Sequence, residues 1–159
     1  MSDKKTNAVR AVENLKIDYE ILKYEVDDEH IDAISVANLI GQDIKYVYKT
    51  LVLQGSDKNY YVCVIMGNDE LDLKKTAKAF GIKNIGMIPV SDINKITGYI
   101  RGGCSPIGMK KRFKTLIDVK AQRLEYIIVS AGQRGMQIKL DVNKLREIVD
   151  AKFEDVVKN

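Results

Sequence analysis

Hydrophobic and polar positions along this chain follow two periods, and they switch often. Ala8, Val12 and Leu15 fall on one side of residues 6–16, which predicts a short helix. Residues 19–26 alternate, with Leu22, Tyr24 and Val26 facing one way, which predicts a strand. A helix over 33–40, closed by Gly41, follows. YVYKTLVLQ (46–54) and YYVCVIM (60–66) are rich in β-branched, aromatic and leucine residues, and a turn over 55–59 makes them a hairpin. The helical period returns over 70–80. Leu73, Ala77 and Phe80 form its inner face, Lys74, Lys75 and Lys78 lie mostly on other faces, and Gly81 ends it. A short strand near 85–88 and a short helix over 91–97, started by Ser91, lead into the glycine-rich stretch TGYIRGGCSPIGMKKRFK, residues 97–114. Strands are predicted at 115–118, 125–130 and 136–140. Asp141 caps a last helix over 142–150.

Strands outnumber helices, and short turns join most of them. That pattern predicts an α+β fold with a curved, mixed or mainly antiparallel sheet rather than a doubly wound one. No repeat, low-complexity tract or linker divides the 159 residues, which read as one domain over 1–159. No apolar run approaches the roughly 20 residues of a membrane span. MSDKKTNAVR has no apolar core, so no signal peptide is expected there. Cys63 and Cys104 form no C-x-x-C, and His30 is the sole histidine, which excludes a standard Cys/His zinc site. The expectation is a cytoplasmic protein with no metal, no cofactor and no membrane partner.

The net charge of +4 points only weakly towards nucleic acid. Placement says more. Lys74, Lys75, Lys78 and Lys83 form one group, and Lys110, Lys111, Arg112 and Lys114 another. Each is either a solvated face or a landing for polyanion.

The glycine-rich stretch invites three readings. As a phosphate cradle it fails: Gly103 and Gly108 have P-loop spacing, but Met109 replaces the lysine, and Pro106 removes an amide donor. As a nucleophile's loop it needs a base for Cys104, and the sole histidine sits in the acidic segment DDEHID. Cys63, within VCVIM, reads as a buried strand residue. As a tight turn it leaves backbone amides open to close approach. SAGQRG (130–135) is a second glycine-containing turn of that kind. The sharpest anomaly is Lys49. It shares a strand face with Val47, Leu51 and Leu53, so it either snorkels at a sheet edge or projects into a pocket as a fixed cation.

KTNAVR, YKTLV, DELDLKKTAKAFGIK, TGYIRGGCSPIGMKK and VSAGQRG occur in this order, and together they resemble the YbaK/EbsC family. Its members are freestanding relatives of the editing domain inserted in bacterial prolyl-tRNA synthetase. The likeness runs from about Lys5 to Val149. It implies a barrel-like sheet flanked by helices, and hydrolysis of the ester in mischarged aminoacyl-tRNA. Cys-tRNA(Pro) is the leading substrate and Cys-tRNA(Cys) another. It implies partners too: the acceptor end of aminoacyl-tRNA and prolyl-tRNA synthetase.

The family's essential lysine corresponds to Lys49, with Tyr24, Thr50, the pair Gly102 and Gly103, and Ser130 and Gly132 around the substrate. Lys74, Lys75, Lys78, Lys110 and Lys111 become candidates for tRNA phosphates. The chemistry that the family suggests is attack by the substrate's own thiol, with the enzyme orienting the ester and stabilising the oxyanion. Two alternatives keep the fold: a deacylase for alanine or another small amino acid, and a non-catalytic tRNA- or synthetase-binding module.

Overall fold

A computed structural model describes residues 5–26 and 32–159. In chain order the elements are α1 (Asn7–Asn14), β1 (Tyr19–Lys23), α2 (Ala33–Leu39), β2 (Tyr48–Gly55), β3 (Tyr60–Met66) and α3 (Leu73–Phe80). Then come β4 (Ile85–Met87), α4 (Ile93–Thr97), β5 (Lys114–Asp118), β6 (Tyr126–Gln133), β7 (Met136–Asp141), α5 (Val142–Ile148) and β8 (Lys152–Glu154). The α+β expectation holds.

Side-chain caps set most helix starts. Thr6, Asp32, Asp72 and Asp141 each accept backbone N–H bonds at the heads of α1, α2, α3 and α5. The cap at Asp72 explains why α3 begins at Leu73 rather than at residue 70. Ser91 caps nothing: a 3-10 turn over Val90–Asp92 precedes α4. β1 stops at Lys23, leaving Tyr24 just beyond it, and α5 stops at Ile148 rather than at 150. The sequence pattern missed β8 because KFE is too short to show a period; its parallel pairing with β5 makes it a strand.

The strands form two sheets, ordered β1-β7-β6 and β4-β2-β3-β5-β8. The first is antiparallel. The second is mixed, with β5 running parallel to both β3 and β8. A single bridge between Val47 and Ile128 links them among the described residues, so the sheet is not closed and barrel-like overstates it.

The main core lies between the sheets. Tyr48, Val62, Val64 and Ile117 meet Ile127, Val129, Ile138 and Leu140, with α1 and α5 over the ends. The far face of the mixed sheet packs Leu53, Cys63 and Ile65 with Ala77 of α3. Cys63 is fully buried as expected, and burial pushes its thiol up to about 12. With both faces covered, β2 is nearly continuously apolar after Thr50. Its first residues, Tyr48 to Thr50, reach an opening between the sheets.

Candidate active site

The opening is a cavity of about 290 Å³. Tyr24, Lys49, Thr50, Gly102 and Ser130, five of the residues expected at the substrate, all line it. They come from four separate stretches: the end of β1, the head of β2, the glycine loop and β6.

The front wall is β2 and the loop. Lys49 is part-buried, and among the described residues no carboxylate pairs with it. The Thr50 hydroxyl is buried with no hydrogen-bond partner among the described residues. An orphaned buried hydroxyl is costly unless something enters to satisfy it. Gly102 and Cys104 are the loop residues on the lining, and neither amide is engaged elsewhere among the described residues. Gly102 sits at φ +85, a conformation natural to glycine.

The rear wall is the end of β6. Its register shifts between Ser130 and Gln133, so SAGQ lies in a bulged strand and the turn is confined to Arg134 and Gly135. The Ser130 hydroxyl accepts the Gly132 N–H at 3.2 Å, which fixes its oxygen and leaves its proton free to donate.

Two of the expected residues stand apart from the lining. Gly103 and Gly132 do not line the cavity, and their amides are committed, to the Ile100 carbonyl at 3.0 Å and to Ser130. They serve close packing instead. A Cβ on Gly103 would lie 2.9 Å from the Gln133 Cα, and one on Gly132 would lie 3.0 Å from both Thr6 and the Tyr99 ring.

Thr6, from KTNAVR, explains that motif. Its hydroxyl donates to the Ala131 carbonyl while capping α1, so the helix start is pinned to the bulge. Tyr99, from the glycine stretch, donates to the Ile107 carbonyl at 2.6 Å and packs on Gly132. Three motifs far apart in sequence thus brace one wall. The α3 motif lies on the far side of the mixed sheet and braces the core.

Cys104 reaches the cavity, but burial pushes its thiol up to about 11, against a smaller opposing effect of its hydrogen bond with Thr97. Such a thiol is protonated at neutral pH and is a poor nucleophile. His30, the base considered for it, lies outside the described residues.

The five candidate phosphate contacts do not converge on the cavity. Lys75 Nζ is held by Asp155 at 3.1 Å and by the Val157 carbonyl at 2.9 Å, so tertiary contacts already occupy it. Lys110 Nζ donates to the Lys95 carbonyl at 3.1 Å. Lys74 and Lys78 border a separate depression beside Lys83, and Lys111 borders another beneath α1.

Sequence reasoning missed several lining residues, Gln137, Asp32, Gly67 and Tyr48 among them. Gln137 is 6 % exposed, and no hydrogen bond engages its amide among the described residues. The Asp32 carboxylate, held ionised first by the Ser35 N–H and then by the Ser35 hydroxyl, is an anion at the rim. Gly67 lets α2 approach: a Cβ there would come within 2.1 Å of the Ala33 Cβ. The glycine left a mark in the sequence as a punctuation between β3 and α3, and Asp32 as the end of the acidic segment DDEHID. Tyr48 also lines the cavity; burial, then the charges of Asp118 and Asp69, raise its phenol far above the ordinary value and keep it neutral.

Residues 28–148 match the model of a family described as the aminoacyl-tRNA editing domain. The EbsC protein of Enterococcus faecalis, named as a candidate Cys-tRNA(Pro)/Cys-tRNA(Cys) deacylase, is 45% identical over 155 residues. That match covers 98% of this chain and 94% of EbsC. A proline–tRNA ligase of a Thermoanaerobacter species is 27% identical over 130 residues, which is 79% of this chain but 23% of the ligase. A solved structure described as a candidate trans-editing enzyme for prolyl tRNA synthetase has a TM-score of 0.83 at 18% identity. It covers 99% of this chain and 100% of that one, and at that identity the likeness shows the shared fold.

Proposed function

The chain belongs to the aminoacyl-tRNA editing domain family, and from that premise we propose that it is a deacylase that clears cysteine from tRNA(Pro), with Cys-tRNA(Cys) as a second substrate. One observation carries the reading. Lys49, Thr50, Gly102, Ser130 and Tyr24 share one cavity whose front-wall polar groups are unspent. At about 290 Å³ it sits at the lower edge of the roughly 300–1,000 Å³ usual for ligand sites, which suits a small aminoacyl group.

The proposed chemistry uses the substrate's own thiol. Its sulfur bonds to the ester carbonyl carbon, the carbon–oxygen bond to the ribose breaks, and the tRNA hydroxyl leaves with the thiol's proton. Water then opens the cyclic thioester. The chain orients and stabilises. The Lys49 ammonium and the Gly102 and Cys104 amides face the developing oxyanion, and Asp32 faces the substrate's ammonium. Thr50, Ser130 and Tyr24 hold the rest of the aminoacyl adenosine.

The likeness to part of a proline–tRNA ligase supports a further element of the proposal. A synthetase that misactivates cysteine needs a separate hydrolytic site, because binding alone rejects a near-isosteric side chain poorly. Prolyl-tRNA synthetase is therefore the proposed partner, the cytoplasm the proposed compartment, and the whole chain, 1–159, one editing domain. No helix among the described residues is long and apolar enough to cross a membrane.

The test is a panel of mischarged tRNAs offered to the wild-type protein and to Lys49→Ala. The proposal expects Cys-tRNA(Pro) to be cleared fastest, Ser-tRNA(Pro) poorly for want of the thiol, and neither by the variant, which still binds tRNA. Efficient clearance of seryl or alanyl esters would replace the thiol mechanism. Undiminished hydrolysis by Lys49→Ala would remove the lysine's role. Hydrolysis of none of them by the wild type would leave a binding module.

A further inference from the structure

A second groove lies at the opposite end of the mixed sheet, between β5, β8 and the last turns of α3 and α5. It is the larger of the two, at about 610 Å³. Arg112, Lys114, Arg146 and Lys152 line it, with Phe80 and Phe113 between them, against one carboxylate, Asp150. Arg112, Lys114 and Lys152 are exposed and take part in none of the ion pairs among the described residues. Three exposed cations along one groove, with a single carboxylate on its lining, favour an anionic occupant.

The aromatic rings narrow the class. Phe113 meets Tyr60 edge-on at 6.1 Å and Phe80 leans on Tyr61 at 4.4 Å, so both rings are braced while still bordering the groove. Cations for phosphates alternating with fixed rings for bases are how proteins hold single-stranded nucleic acid.

The strand registers set the distance from the catalytic lysine. Lys49 pairs with Ile65 and Lys114 with Tyr61, so the two positions lie four residues and two strands apart, roughly 16 Å. The loop that offers Gly102 and Cys104 to the cavity runs on to Arg112 and Phe113 in the groove. We propose that this groove holds the single-stranded nucleotides just upstream of the aminoacylated adenosine, with phosphates on Arg112, Lys114 and Lys152 and a base against Phe113. The identity of that RNA as the acceptor tail rests on the deacylase reading; the groove's affinity for single-stranded RNA does not.

The experiment measures binding of a short fluorescent RNA ending in CCA, at several salt concentrations, by anisotropy. Arg112→Glu/Lys114→Glu/Lys152→Glu should weaken binding at least about tenfold and lower the salt slope by roughly one per cation. Phe113→Leu, which keeps the position apolar, should weaken binding without changing the salt slope. Lys95→Glu/Lys144→Glu/Lys158→Glu makes the same change in net charge elsewhere and should cost much less. Circular dichroism confirms that each variant is folded. With Cys-tRNA, the groove variant should raise KM and leave kcat. Wild-type affinity in the groove variant, or equal losses in the two triple variants, overturns the proposal. Loss of binding to a glutamate-rich peptide but not to RNA overturns it in favour of a protein partner. A wild type that binds RNA through the groove but clears no ester sinks the deacylase reading and leaves the groove standing.

Discussion

The two walls of the cavity are furnished differently. In the front wall, Lys49, the Thr50 hydroxyl and the amides of Gly102 and Cys104 have no other employment among the described residues. In the rear wall, Gly132 is spent on Ser130 and the Ala131 carbonyl on Thr6, while Gly103, next to Gly102 in the loop, is spent on Ile100 and packs against Gln133. Motif glycines look alike in a sequence, yet Gly102 offers a donor while Gly103 and Gly132 make room. The front wall is free to bind; the rear wall is committed to holding shape. Substitutions in the front should therefore change rates at constant stability, and those behind should change both.

The largest effect separates the walls most cleanly. Lys49→Ala should lower kcat/KM for Cys-tRNA(Pro) by about 10²–10³-fold, the usual cost of removing one oxyanion-stabilising group. Its Tm should stay within a degree or two, because the ammonium pairs with nothing among the described residues. A large fall in Tm would make Lys49 a structural residue and collapse the distinction.

Gly132→Ala tests the rear wall. Its φ of +105 disfavours any side chain, and the new Cβ would press on Thr6 and Tyr99 at 3.0 Å. Strain of this kind costs about 1–3 kcal/mol. A thermal melt should fall by several degrees, with activity falling as the wall shifts. Unchanged stability with lost activity would move Gly132 to the front-wall class.

The walls were not equally legible in the sequence. Lys49 stood out because a strand face carries its own period, and a lysine among Val47, Leu51 and Leu53 breaks it. The motifs around Gly102 and Ser130 located both walls through family likeness. Which glycine donates and which packs depends on what crosses behind it, and α1 arrives at the bulge from over a hundred residues away. Lys75 likewise looked free on its helix face until the chain end folded back on it. Two-period alternation gave β6 and β7, but not the bulge or the β7 register that sets Gln137 opposite Ser130.

Gln137 sharpens the comparison, for it sits on the rear strands with an unspent amide. If that amide contacts substrate, Gln137→Leu should lower kcat/KM by about tenfold, or roughly 1.4 kcal/mol. The same change should hold the Tm, since it removes no hydrogen bond among the described residues and Leu is of similar size. Lower rate with equal or higher stability would give the rear wall one binding residue. Lower stability would show that the amide has a structural partner.

The smallest expected effect concerns the side chain of Cys104, whose amide belongs to the front wall. Burial lifts its thiol to about 11, so at pH 7–8 the thiolate is a trace species. Iodoacetamide should therefore label Cys104 very slowly at pH 8, and the rate should keep climbing with pH towards 11. Cys63, fully buried and lifted to about 12, should stay unlabelled while the fold holds. Both thiols, like the phenols of Tyr48 and Tyr99, have folded values above their unfolded ones. The unfolded chain therefore loses these protons first, and stability falls as pH rises beyond about 9. That sets the usable window: labelling below pH 9 reports the native loop, and labelling above it increasingly reports opening. A rate plateau near pH 8 would mean a poised thiolate in the cavity. The front wall would then hold a nucleophile of its own, and the substrate's thiol would no longer be needed for the attack.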